Sequence, residues 1–262
     1  MNRYIVFLKQ VPLSTRVEMD TETKTLKRSS AMTQTNPNDL YALQAALDVR
    51  RRTGGEVVAV TMGPPSSEEV LREALQRGAD RAVLLTSRAF AGSDTWCTSL
   101  VLAAAARRLG SYTLLFFGKM AIDGDTAQVG PEVAAHLQIP QVTSLQSIDG
   151  FWGQTLRVTR CVDEGLQRLD VDLPCVVVIG KEWGTLDNPT LAGWRRAQQC
   201  PITCWDEHDL ELPASEVGLL ASPTRVVSTE VPDRRKDIRW LADSLALSET
   251  IKELVKEEKI KG

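Results

Sequence analysis

Short apolar runs alternate with amphipathic stretches from the start of the chain to Phe117, and this rhythm constrains the fold more than any other feature. The runs are Tyr4 to Leu8, Val57 to Thr61, Ala82 to Leu85 and Thr113 to Phe117; the helical stretches between them are Asp39 to Arg51, Ser67 to Arg77 and Asp94 to Leu109. Strands separated by helices run in one direction, because each helix carries the chain back over a face of the sheet in a right-handed crossover. The expected fold class is α/β: a doubly wound, mostly parallel sheet covered on both faces. In such sheets ligands sit beyond the carboxyl ends of the strands.

One segment falls at such an end. After the fourth run the chain reads Gly118-Lys-Met-Ala-Ile-Asp-Gly-Asp-Thr-Ala-Gln-Val-Gly-Pro131 and then takes up a helical pattern from Glu132 to Leu137. A strand feeding a Gly- and Asp-containing turn and then a helix points unpaired N–H groups and a positive dipole end at one spot, which suits a phosphate. An ordinary strand-to-helix turn has the same outline, so both uses stay open on the physics alone. Asp123 and Asp125 would repel a phosphate if aimed at it, which favours a role in capping the helix or tying the turn together.

The pattern changes after Pro140. Val142 to Leu145, Leu156 to Val162 and Leu166 to Val171 alternate polar and apolar residues, with Asp149-Gly150 and Asp163-Glu164-Gly165 as the expected turns, which predicts an antiparallel extension. Cys175 to Ile179 then returns as a buried strand. From Leu210 the rhythm is lost. Ser222-Pro223 to Pro232 reads as an extended arm, and Asp237 to Lys261 as a helix whose stripe of Ile238, Leu241, Leu245, Ile251 and Leu254 docks on this domain or on a partner. The expected division is an α/β domain over residues 1–209 and an arm and helix over residues 210–262.

Composition removes several function classes. At 262 residues and 43% apolar content the chain can bury one substantial core. Its formal charge of −3 rests on 31 basic and 34 acidic residues in mixed order, which favours neither nucleic acid nor a membrane surface as a partner. Cys97, Cys161, Cys175, Cys200 and Cys204 form no CxxC pair, and an odd count without a secretory leader fits a reducing cytoplasm. Cys200 and Cys204 lack the second pair or clustered histidines that a metal site needs. Met1 to Leu8 is too short and too polar-flanked for a signal peptide, and no apolar run approaches the ~18 residues that span a bilayer. A cytoplasmic protein without metal or membrane insertion is expected.

Four further segments join the one after Phe117: Lys9-Gln10-Val11-Pro12, Asn36-Pro37-Asn38-Asp39, Met62-Gly63-Pro64-Pro65 and Arg72 to Arg81. In this order and spacing they resemble the beta subunit of the electron transfer flavoproteins over nearly the whole chain. The resemblance implies a Rossmann-like, adenine nucleotide alpha hydrolase-like domain that pairs with an alpha subunit as a heterodimer. It implies that Asn36, Pro37, Asn38 and Asp39 contact the adenosine part of a nucleotide, where physics alone leaves helix capping equally open. It places Phe7 and Met62 in the adenine pocket, with core packing as the competing use. Gly118, Ala121, Asp123, Gly124, Asp125, Thr126, Ala127, Gln128 and Val129 would cradle the phosphates, Thr126 and Gln128 with side-chain groups as well as backbone.

The family holds AMP at this site in its respiratory type and a second FAD in its electron-bifurcating type. Asp123 to Pro131 and the stretch Leu84 to Trp96 resemble the bifurcating type, in which Thr95 and Thr98 at a helix start can bond an isoalloxazine ring or simply cap the helix. That type takes hydride from NADH and divides the electron pair, one electron going to ferredoxin and one through an alpha-subunit FAD to a dehydrogenase of acyl-CoA dehydrogenase type. The flavin supplies the redox chemistry, so no catalytic side chain is expected. Trp183 to Arg196 resembles the family's partner-recognition loop, with Leu191 as anchor and Trp194 and Arg196 beside it; the competing use is an inward-folded satellite core. Met120, Leu13 and Cys161 depart from the family pattern, and the loop is poorly matched outside Leu191. Three readings follow: a bifurcating FAD-carrying subunit, a respiratory-type subunit holding structural AMP, and a stand-alone adenine-nucleotide-binding protein.

Overall fold

A computed structural model describes residues 2–13, 32–227 and 240–256. The chain forms two compact units, residues 1–227 and 228–262. The strands of the first unit are β1 (Arg3–Phe7), β2 (Gln10–Pro12), β3 (Thr33–Thr35), β4 (Glu56–Met62), β5 (Arg81–Leu85), β6 (Leu114–Gly118), β7 (Gln141–Trp152), β8 (Thr155–Val162), β9 (Gly165–Asp172), β10 (Cys175–Ile179) and β11 (Ile202–Trp205). Its helices are α1 (Pro37–Thr53), α2 (Glu68–Arg77), α3 (Thr95–Leu109), α4 (Val129–Leu137), α5 (Leu191–Gln199) and α6 (Gly218–Ala221).

Nine strands form one sheet in the order β11-β5-β4-β1-β6-β10-β7-β8-β9. The strands from β11 to β7 pair in parallel, while β7, β8 and β9 form the predicted antiparallel extension. Alternate residues of each buried strand enter opposite faces: Tyr4 and Val6 join a core under α1, α2 and α5, and Ile5 and Phe7 join a core under α3 and α4. Strands buried on both sides need apolar residues at almost every position, which is why Tyr4 to Phe7 of β1, Val57 to Val60 of β4 and all of β10 read as apolar runs.

Three expectations change. Asp149 and Gly150 are not a turn: β7 runs on to Trp152, and the chain reverses at Gly153, whose φ of 61° suits glycine. Asp149 stays in the strand because its carboxylate accepts hydrogen bonds from Ser147 and from Thr159 on the neighbouring strand. Second, β11 was not foreseen, since Ile202–Trp205 is a half-exposed edge strand without an apolar run. Third, the first unit extends past residue 209, with Leu210 and Val217 buried in its core.

In the second unit the described residues form α7 (Ser244–Lys256), which buries none of its residues and leaves Leu245 and Ile251 exposed. The part of the expected arm from residue 228 to Pro232 lies outside the described residues, as do Asp237, Ile238 and residues 257–261 of the expected helix. Among the described residues no helix is long and apolar enough to cross a membrane.

Candidate nucleotide site

Strand order marks the site. From β1 the chain builds outward to β4 and β5, then crosses back to lay β6 and β10 on the other side, so the order reverses between β1 and β6. A crevice opens at such a switch point, outside the carboxyl ends of the strands. The segment after β1, the start of α1 and the turn after β6 meet there.

Asn36 is fully buried and joins two of these segments. Its amide donates to Met120 O (3.0 Å) and its carbonyl accepts from Ile122 N (3.2 Å), while Asn38 donates to the same Met120 O at 2.8 Å. Asn36 makes no side-chain cap on α1. Its chemistry goes into shaping the turn after β6, and Pro37 at the first helical position starts α1 without needing an N–H partner.

Asp39 lies beneath that junction. Its carboxylate accepts the Lys9 N–H at 2.8 Å and faces the Gly118 N–H. Burial raises its pKa to about 7, against the lowering effects of Asn36, Lys9 and Gly118. An acid bound more tightly to its proton in the folded state makes the fold less stable as pH rises, here between the ordinary carboxylate value of 3.8 and about 7. We expect the stability of Asp39→Asn minus that of the native chain to grow with pH across this window, by up to about 1.4 kcal/mol per pH unit. Urea unfolding at pH 4.5, 5.5, 6.5 and 7.5 measures it, and a flat difference would contradict the assignment. Carboxylates with lowered pKa, such as Asp94 and Asp187, act only below this window.

The turn after β6 is exposed from Asp123 to Gln128. Gly124 N and Asp125 N both bond Ala121 O, closing its first half. Asp125 and Ala127 then take left-handed φ values of 51° and 54°, and Gln128 returns to the right-handed region. Neighbours of opposite hand, such as Ala127 and Gln128, aim their N–H groups to one side, a geometry suited to an anion. A left-handed alanine costs about 1 kcal/mol or more, a strain that clusters at ligand sites. Gly130 brings α4 close to the sheet, where a Cβ would sit 3.0 Å from Val178. Asp123 pairs with Lys9 across the crevice, Nζ to Oδ1 2.8 Å, so it ties the turn to the end of β1 and does not cap α4.

On the far side of the turn, α3 begins. Asp94 caps it by accepting from Cys97 N, which leaves the Thr95 hydroxyl to donate to Glu132 Oε1 at 3.1 Å, with the side-chain oxygen of Gln128 at 3.5 Å. The second carboxylate oxygen of Glu132 is withdrawn from solvent and has no hydrogen-bond donor. Thr98 lies three residues, about one turn, further along the helix and is half-buried. Phe7 is buried and stacked on Phe117 at 4.5 Å, and Met62 is half-buried beside the same core. Glu132 and the side chain of Lys9 went unrecognised in the sequence: the first reads as an ordinary first-turn acid, and the second lies more than a hundred residues from its partner.

Residues 23–210 match the electron transfer flavoprotein domain. The chain is 42% identical over 248 residues to the FixA protein of Bradyrhizobium diazoefficiens, covering 92% of this chain and 86% of that one. It is 40% identical to the electron transfer flavoprotein subunit beta of Thermoanaerobacterium thermosaccharolyticum (88% and 89% covered). It is also 40% identical to the caffeyl-CoA reductase-Etf complex subunit CarD of Acetobacterium woodii (88% of each). The chain belongs to the electron transfer flavoprotein family, as a beta subunit. The stand-alone nucleotide-binding reading falls with this result.

In this beta subunit the segment from Trp183 to Arg196 divides by exposure. Trp183 folds inward, donating to Asp48 at 3.0 Å and packing on the core. Asp187 is held by Gln44 and Arg51 of α1. Leu191 and Trp194 face solvent, 67% and 49% exposed. Arg196 turns back to α2, donating to Leu75 O and Ala79 O at 2.8 and 2.9 Å, where it caps a helix C-terminus.

Proposed function

We propose that this beta subunit, paired with an alpha subunit, holds FAD in the crevice and serves an NADH-oxidising, electron-bifurcating flavoprotein. The observation that carries this reading is the Thr95, Gln128 and Glu132 cluster beyond the phosphate turn, with its solvent-shielded carboxylate oxygen lacking a donor. A buried acceptor without a donor costs about 1–3 kcal/mol, and a bound group that donates to it removes the cost. With adenosine over residues 36–39 and a phosphate on the turn, AMP has no group left to reach α3, whereas a dinucleotide continues past its phosphates with ribityl hydroxyls and a ring N–H.

The chain's own residues then have defined tasks. N–H groups from Thr126 to Val129 receive the phosphates, Asn36 and Asn38 hold the turn in shape, and Thr95 and Glu132 orient the distal half. When bound, FAD supplies hydride acceptance from NADH and division of the pair between ferredoxin and an alpha-subunit FAD that serves a partner dehydrogenase. Leu191 and Trp194 suit a protein contact with that dehydrogenase, since exposed aromatic and aliphatic side chains make binding anchors. CarD, named as part of a caffeyl-CoA reductase complex, supports an acyl-CoA dehydrogenase-like partner.

The test is to purify the chain with its alpha subunit, release the nucleotides by denaturation and quantify them. Two FAD and no AMP per heterodimer are expected. One FAD with one AMP would overturn the bifurcating assignment and leave an electron carrier with a structural nucleotide.

A further inference from the structure

The Lys9–Asp123 pair spans the mouth of the crevice in a way that a structural clamp does not need. The backbone of Lys9 is fixed without its side chain: its N–H donates to Asp39 and its carbonyl accepts from Asn36 N, both at 2.8 Å. The side chain reaches outward to Asp123 with 49% of its surface exposed, and Asp123 keeps 33%. Pairs this open contribute little to stability, so exchanging the partner of Lys9 costs little. Lys119, which follows β6, has its stem near Gly180, with Cδ 3.7 Å from where a Cβ on that glycine would stand.

We propose that Lys9 is the phosphate-neutralising residue of the crevice and that Asp123 is its internal competitor, a carboxylate standing in for a phosphate until a nucleotide arrives. The inference rests on the nucleotide-site reading but not on the choice between FAD and AMP. Asp123 and Asp125 put two negative charges on a turn whose N–H groups are arranged for an anion. Lys9 offsets that repulsion. Its ammonium has three donors, and a phosphate charge near −2, carried by the monoester of AMP or spread over the pyrophosphate of FAD, attracts it more strongly than one carboxylate. On binding, Lys9 transfers from Asp123 to a phosphate oxygen, and Asp123 is released to solvent.

This arrangement requires opposite effects from its two halves. In nucleotide-depleted heterodimer, calorimetric titration with ADP is expected to show about tenfold weaker binding for Lys9→Gln and severalfold tighter binding for Asp123→Asn. Lys9→Arg should retain most of the affinity. Adenosine, which lacks phosphate, should bind both variants as it binds the native protein. Weakening of ADP by both variants would make the pair a structural clamp and overturn the proposal, as would an equal loss of adenosine binding in Lys9→Gln. If the native heterodimer binds neither ligand, the nucleotide-site reading itself falls and the inference with it. If it binds both and the variants move together, the inference alone falls.

Discussion

Replacing Gly118 by alanine is expected to unseat the start of α1 from the end of β6 and to empty the protein of its nucleotide. A Cβ at this position would lie 2.1 Å from Asp39 Oδ1 and 2.7 Å from both Asn38 C and Asp39 N. Two of these atoms are backbone in the first turn of a helix begun by Pro37, so they cannot swing aside as a side-chain tip would. The added methyl displaces Asp39 from the Lys9 N–H and pulls Asn38 away from Met120 O. Overpacking of this kind costs about 1–3 kcal/mol or more, before the lost hydrogen bonds are counted. Thermal unfolding should show a fall of several degrees, and the purified heterodimer should lose most nucleotide from this subunit. Gly124→Ala is the matched control for stability, because nothing lies within 4 Å of its would-be Cβ. A Gly118→Ala protein with native melting temperature and full nucleotide content would refute the close approach of α1 to β6.

The second large effect belongs to the segment from Trp183 to Arg196. Gly193→Ala is expected to lift α5 off α2, since its Cβ would stand 2.1 Å from the carbonyl oxygen of Gln76. Helix α5 is anchored by reciprocal arginines: Arg196 reaches carbonyls of the α2 end, and Arg72 of α2 donates to Cys200 O after α5. Moving the helix strains both and displaces Leu191 and Trp194. Leu191→Ala, by contrast, removes an exposed side chain and leaves the packing alone. Both substitutions are expected to slow electron transfer to the partner dehydrogenase by at least about tenfold, the effect of losing a binding anchor. Only Gly193→Ala should also lower the melting temperature, and both proteins should keep their nucleotide. Unchanged transfer in Leu191→Ala would remove the anchor role from this segment.

Much of the architecture was legible before the structure, and the reason is local. Strands buried on two faces must be apolar throughout, and helices between them must be amphipathic, so β1, β4, β5, β6 and β10 appear in the sequence within a residue or two of their observed ends. The crevice was legible for the same reason: once the alternation is read, the turn after β6 has to open at a strand's carboxyl end. Asp149 and Gly150 misled because that pair is a common turn signal, and cross-strand partners such as Thr159, invisible in a linear reading, keep Asp149 inside β7. The edge strand β11 carries no strong period, because an edge buries little.

What the sequence alone determined, then, is the layered α/β fold, the family and the position of the turn after β6, since each rests on periodicity or on contiguous residues. The tertiary structure decided the use of individual polar groups. It turned Asn36 toward Met120 and not to a helix cap, brought Lys9 onto Asp123, set Thr95 beside an acceptor on Glu132 that has no donor, and divided Trp183 from Leu191 by burial. Hydrogen bonds and ion pairs have no sequence period. A polar side chain near a strand end has many partners within reach, and only the packing of β1, α1, β6 and α4 around one switch point selects among them.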